Sequence, residues 1–440
     1  MPLRKVYAKA YSGAISMLTD HPLRYALANE LHARPFPTIS APARGAYLAI
    51  TPAKHAAIRD RAADRAHLIA LLDRYGAPHP APEATHYFGQ IGQHWLKWEV
   101  HTEFVTYTLL GDGNADRPYD AATFDMFPQD WLEAAPGTRL TSALIRIEPM
   151  PDDQGILQRL GEWFVPESLA VSRVLDGELV VAADFRIDAG GHMRFAVFAA
   201  PECGARRIGR VMQRLCEIET YKAMSMLGLA RARDIGPEMN ALEERLTTIV
   251  TSLSDAGLDA PQTLQSLLET SARLEQLVAH TSFRFGATGA YETIVNQRIE
   301  VLREARFVGR QTFGEFMLRR YDPAMRTVKS TETRLLRLSE RAIRAGDLLR
   351  TRVEVERSAQ NQSLLQSMDR RSDLQLRLQR TVEGLSVVAI SYYAVGLALY
   401  VLAPLEKLQG VSKPWLTAGV TPVVVLAVWL ALRRIQRAMH

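Results

Sequence analysis

Between Glu383 and Glu406 the chain runs for 22 residues, GLSVVAISYYAVGLALYVLAPL, without a formal charge. At about 1.5 Å per residue such a run makes a helix long enough for a bilayer core of roughly 30 Å. After the eight-residue link EKLQGVSK comes a second charge-free run, Pro414 to Leu432, followed at once by Arg433 and Arg434. The link is too short for a domain, so the pattern predicts a membrane hairpin with spans at 384–405 and 414–432. A buried hairpin of a soluble protein is the competing reading, and two long charge-free runs this close together disfavour it. Arg370, Arg371, Arg377 and Arg380 precede the first span, and Arg433, Arg434 and Arg437 follow the second, whereas the link carries only Lys407 and Lys413. The positive-inside rule then expects both termini in the cytosol, the link in the periplasm of a bacterial inner membrane, and 433–440 as a basic cytosolic tail.

The remaining length suffices for a sizeable soluble body, since 440 residues allow two or three domains. A net charge of +5 is too small to argue for a nucleic-acid partner. The basic excess is local: residues 301–350 hold twelve Arg or Lys against six acids, and the interleaving fits a helix surface laced with ion pairs. Cys203 and Cys216 have no metal-ligand spacing, which points away from zinc or a disulfide framework and toward a reducing cytosol. The first residues, MPLRKVYAKAYSGAISMLTDHPLR, lack the apolar core of a signal peptide.

Residues 1–204 read as a cytosolic α+β domain with a largely antiparallel sheet. A helix is expected over 55–76, with strands at 45–50, 85–92, 94–101, 103–110, 139–149, 168–175, 178–188 and 193–200. Gly92-Gln93, Asp176-Gly177 and Gly190-Gly191 are hairpin turn signals between them. From about 205 to 383 the pattern is helical, with breaks expected at Gly236-Pro237, at 254–261 and at Asp322-Pro323. Beyond Pro323 no proline occurs before Pro404, so one stalk helix should run from about 324 into the first span, with Gly346 and Gly384 as weak interruptions.

Stepping along that helix by alternate threes and fours gives Ser358, Asn361, Leu365, Met368, Ser372, Gln375, Gln379, Val382, Ser386, Ala389, Tyr393, Gly396, Tyr400 and Ala403, a stripe with no formal charge. A parallel bundle with this stripe inward would enclose a hydrated, nearly neutral pore. Leu365 and Met368 would form its apolar constriction and gate, and Tyr393, Gly396 and Tyr400 its outer part. The stripe holds one direction only in a supercoil, because a straight helix drifts about 20° per heptad. Small residues and tyrosines in a membrane helix also serve packing and interfaces, and within the span alone that reading is slightly ahead. Its continuation into the cytosolic stretch is what favours a pore.

Other chemistry is poorly signalled. His86, His94 and His101, and Glu30 with His32, have no HExxH motif or cysteine ligands beside them, so hydrogen-bonded histidines are expected rather than a metal site. There is no GxxxxGK[ST] phosphate loop and no GxSxG elbow. The polar cluster His21, Arg24, Glu30, His32 and Arg34 is the sole support for an enzyme, and salt bridges tying that segment down explain it as well. The expectation is no enzyme, no catalytic residue and no cofactor.

The segments HPLRYALANELHARPFP (21–37) and RTVEGLSVVAISYYAVGL (380–397) resemble a bacterial family of membrane-anchored proteins, domain of unknown function 3422. That resemblance covers nearly the whole chain and implies membrane anchoring without an activity. More loosely, an α/β domain, a long helix entering the first span, a short outer link and a basic C-terminus look like the CorA-type metal-ion transporters. Those are pentamers whose first span lines the pore. Their Gly-Met-Asn signature at the outer end of that span has no counterpart in GLALYVLAPLEKLQ, which puts magnesium selectivity in doubt. The expected function is a homo-oligomeric, CorA-like ion channel or transporter. The alternative is a membrane-tethered scaffold or regulator without transport.

Overall fold

The computed structural model describes residues 20–24, 27–28, 36–53, 56, 59–253, 259–409 and 413–439. Alternation along Ala43–Thr51 puts Ala46, Leu48 and Ile50 on one side of strand β1 and Tyr47 and Ala49 on the other. Among the described residues, this strand lies inside a mixed nine-stranded sheet. The others are β2 (His86–Ile91), β3 (His94–Val100), β4 (Val105–Asp112), β5 (Thr138–Pro149), β6 (Ala170–Val174), β7 (Leu179–Ala183), β8 (Met193–Ala199) and β9 (Ala305–Arg306). Their spatial order is β2-β3-β4-β1-β5-β8-β7-β6-β9. The eight strands expected from the sequence are all present. Every neighbouring pair is antiparallel except β5 and β8, which run parallel from Ala143 opposite Met193 to Pro149 opposite Ala199.

One face of the sheet is apolar. Helix α1 (Arg61–Arg74) begins at Asp60, whose carboxylate accepts from Ala62 N at 2.8 Å, later than the expected start near 55. Its Leu68, Leu71 and Leu72 pack with Leu48, Trp98, Tyr107 and Leu109, joined by Phe127 and Trp131 from the segment that ends in α2 (Gln129–Glu133). Farther along the same face, α3 (Asp153–Trp163) is capped by Asp152 and sets Ile156, Leu160 and Trp163 against Val171, Val180 and Phe198.

Helix α4 (Ala205–Ser252) packs on the opposite face. It continues through Gly236-Pro237, where a break was expected. Proline there removes one backbone hydrogen bond, but Ile235 and Met239 are buried on either side and hold the helix in place. Helix α5 (Ala260–Glu300) crosses α4 so closely at Gly228 that a Cβ there would lie 2.1 Å from Thr288 Oγ1. After β9 comes α6 (Phe313–Arg320). Its N-terminus is closed by a Thr312/Glu315 capping box and by Glu304, which accepts from Phe313 N at 3.0 Å and Gly314 N at 2.9 Å.

Helices α7 (Asp322–Gln409) and α8 (Lys413–Met439) complete the chain. The break at Asp322-Pro323 is present, and neither Gly346 nor Gly384 interrupts α7. The architecture is α+β with a mixed sheet, long helices and two apolar C-terminal helices. The chain divides into two compact units. One holds the sheet and is built from residues up to Thr247 and from Thr270–Arg341. The other is built from Thr248–Glu269 and from Ala342 onward.

Candidate functional site

The second unit carries the residues that the stripe singles out. Its part of α7 starts packed, with Ala342, Ala345 and Leu349 buried and Arg352 donating to the Leu253 carbonyl at 2.5 Å. From Arg357 through Val382 every residue is exposed, on all sides of the helix. This length bears Leu364, Leu365, Met368, Leu374, Leu376, Leu378 and Val382, each between 53% and 66% exposed. Hydroxyl groups here turn back on their own helix, as Ser363 does to the Gln360 carbonyl and Ser367 to the Leu364 carbonyl, both at 2.8 Å.

Ser358, Asn361, Leu365, Met368, Ser372, Gln375 and Gln379 therefore stand uncovered in a single chain. Farther on, Ala389, Tyr393, Tyr400 and Ala403 are exposed, and Ser386 and Gly396 are half-buried. Ser391 is buried instead. It lies two residues from both Ala389 and Tyr393, which on a 3.6-residue helix is the opposite side. The first apolar segment thus keeps its covered flank away from the stripe. Among the described residues two helices, α7 through Ala403 and α8 over Pro414–Arg434, are each long and apolar enough to cross a membrane. On α8, Trp415, Val423, Leu426 and Leu430 point outward, and the Arg433 guanidinium sits 4.9 Å from the Trp429 ring centroid.

One chain does not gather the stripe into a site. Set side by side in several copies, the same residues would present amides, hydroxyls and phenols without a formal charge. Leu365 and Met368 would form one apolar level among them.

His94 is half-buried, and burial and Arg44 lower its pKa. His101 stacks on Phe104 with ring centroids 4.3 Å apart, and His86 is exposed on edge strand β2. No group of three His, Cys, Asp or Glu able to hold a metal occurs among the described residues. Both cysteines are buried, and burial beside Glu178 pushes the Cys203 thiol up to about 11. Arg24 pairs with Asp20, while Glu30, His32 and Arg34 lie outside the described residues.

Sequence reasoning missed a buried polar layer between the sheet and α4. Lys97 is buried, ion-paired with Glu99 at 3.1 Å and bonded to Gln213. Tyr47 Oη lies 2.5 Å from Thr220 Oγ1, and Thr141 donates to Glu219 at 3.1 Å. The cavity between Tyr47, Lys97, Glu99, Gln213 and Thr220 has about 20 Å³, room for one water and no substrate. Alternation of Lys97 and Glu99 with Leu96 and Trp98 was visible, but it reads as a solvated face, and only the fold lays α4 over it.

Against known proteins, the family described as "Protein of unknown function (DUF3422)" matches residues 19–439. No curated protein and no solved structure matches the chain.

Proposed function

The chain belongs to the DUF3422 family, and from its own geometry we propose that it is a membrane-anchored homo-oligomer that conducts ions along a path lined by α7. The observation that carries this reading is the uncovered length of α7 from Arg357 to Val382. Full burial of a Leu or Met side chain is worth about 1.5–3 kcal/mol, so seven large apolar residues on a bare helix favour association strongly. A second copy is the natural partner, because identical spans insert with identical orientation and bring their α7 helices together parallel and in register. The stripe is the inward face that leaves no charge unpaired in the centre. Asp369, Arg370, Arg371, Asp373, Arg377 and Arg380 then sit beside or outside it. Arginines flanking both apolar segments support cytosolic termini in a bacterial inner membrane.

The order of parts supports a CorA-like arrangement, with five copies as the working number: a sheet domain, then long helices, then one helix entering the first span. The sequence departs from that family at the outer link, where Glu406 is the single acid and no Gly-Met-Asn triplet occurs. That departure favours the second reading, a tethered scaffold or regulator with no pore.

Native mass spectrometry of the detergent-solubilised full chain separates the two. A closed ring, with cross-links between copies at Ser358 or Gln375, is the result expected of a conductor. A monomer or dimer has too few helices to enclose a path and would leave only the scaffold.

A further inference from the structure

Many guanidinium groups of the sheet-bearing unit meet a carboxylate, as Arg173 does Asp153 at 2.6 Å and Arg74 does Asp130 at 2.7 Å. Three that share one concavity do not. Arg310, in the loop before α6, and Arg319 and Arg320, in the last turn of α6, line a pocket of about 250 Å³. None of the three makes an ion pair among the described residues. One acid, Glu167, shares the lining with the three arginines, and Glu315, one helical turn before Arg319, also feels that arginine's charge.

The concavity is held by the fold. Gln311 Nε2 donates to the Leu169 carbonyl at 3.0 Å, and Val171 N donates to the Gln311 carbonyl at 2.9 Å. Gly309, at φ +73°, makes the turn that presents Arg310. Phe316 forms an apolar wall and is itself stacked on Phe185, ring centroids 4.3 Å apart.

Helix electrostatics account for two of these arginines and not the third. Cations in a last turn complement the helix dipole, which suits Arg319 and Arg320. Arg310 lies before the N-terminus, where the dipole disfavours a cation, and the acids that close that end are Glu304 and Glu315. Glu315 also pairs with Arg306, which leaves Arg310 to its pocket.

We propose that this pocket binds a phosphoryl group, carried either by a soluble phosphorylated molecule or by an anionic lipid headgroup. Planar guanidinium forks match phosphate oxygens two at a time, and the volume suits a small anion better than a large organic ligand.

The test uses the full chain in a neutral detergent at low salt, titrated calorimetrically with pyrophosphate and separately with dihexanoyl phosphatidylglycerol. The pocket variant is Arg310→Gln/Arg319→Gln/Arg320→Gln. The control, Arg206→Gln/Arg233→Gln/Arg326→Gln, removes the same charge from three exposed arginines elsewhere. Pyrophosphate affinity lowered about tenfold or more in the pocket variant alone supports the site with a soluble source. The same loss for the lipid probe alone supports it with a lipid source, and loss of both supports a shared phosphoryl site. Arg310→Lys keeps the charge without the fork and should give an intermediate loss. No binding of either probe, or equal binding by pocket variant and control, overturns the proposal.

Discussion

Tyr291 Oη donates to Glu103 Oε1 at 2.7 Å, across the junction between α5 and the β3–β4 turn. Glu103 is 1% exposed and also ion-paired with Arg284 of α5. Replacing it with alanine leaves a mostly buried guanidinium and a phenol without their partner, at a cost of about 3 kcal/mol. Glu103→Gln keeps an acceptor for Tyr291 and should cost distinctly less. Thermal unfolding of the detergent-solubilised chain reads both, and equal melting temperatures for the two variants would contradict this account.

The crossing at Gly228 makes a separate prediction. Thr288 leaves no room for a Cβ, so Gly228→Ala should destabilise by about 1–3 kcal/mol. Removing the obstacle as well, in Gly228→Ala/Thr288→Ala, should recover part of that loss. A double-mutant cycle with no coupling would show that the helices separate freely there.

Acid sensitivity should come from His67 and His192. Burial lowers the pKa of both; for His192, Arg139 lowers it further. His67 donates from Nε2 to the Trp131 carbonyl at 2.9 Å, so as a neutral ring it accepts from Tyr107 at Nδ1, 3.0 Å away. A depressed histidine pKa means that the unfolded chain binds the proton more readily. Its contribution to stability is therefore complete above the unfolded value of about 6.5 and is lost as pH falls toward the folded values. Melting temperature should drop on acidification from pH 7 to 5, and His67→Gln should flatten the slope while lowering stability at pH 7. A melting temperature that rises on acidification would reverse the sign argued here.

Conduction predicts a phenotype at Leu365 and Met368. Serine at either position wets the apolar level of the proposed path and should raise leak in liposomes several-fold, while Leu348→Ser, exposed but off the stripe, should not. Ion flux from reconstituted protein decides it, and unchanged leak in a chain that still forms rings removes those two residues from the path.

Local rules carried much of the sheet. The eight strands were legible because alternating side chains and the turns at Gly92, Gly177 and Gly191, all at positive φ, are encoded within a few residues. The parallel pairing of β5 with β8 was not, since no local pattern says that Ala143 should lie beside Met193. Helix α3 was also missed, although Asp152 followed by Ile156, Leu160 and Trp163 spells a cap and an apolar face. At Pro237 burial overrode a breaker. The α7 stripe could be read because it is a helical period, but what covers it belongs to other chains. The arginine pocket joins residues about 150 apart, from Pro166 to Arg320, and no spacing rule reaches that far.

Strand β9 is only two residues long, yet it pairs with Ser172 and Arg173 and closes the β6 edge of the sheet. On a ribosome, β6 emerges first, and its cover follows about 130 residues later (305 minus 174). Throughout that interval a nascent chain carries an unpaired, Val-rich edge of the kind that recruits other strands. Synthesis of α4 and α5 must finish before the sheet is sealed, so a chain stopped between them and β9 would be a substrate for chaperones rather than a stable domain.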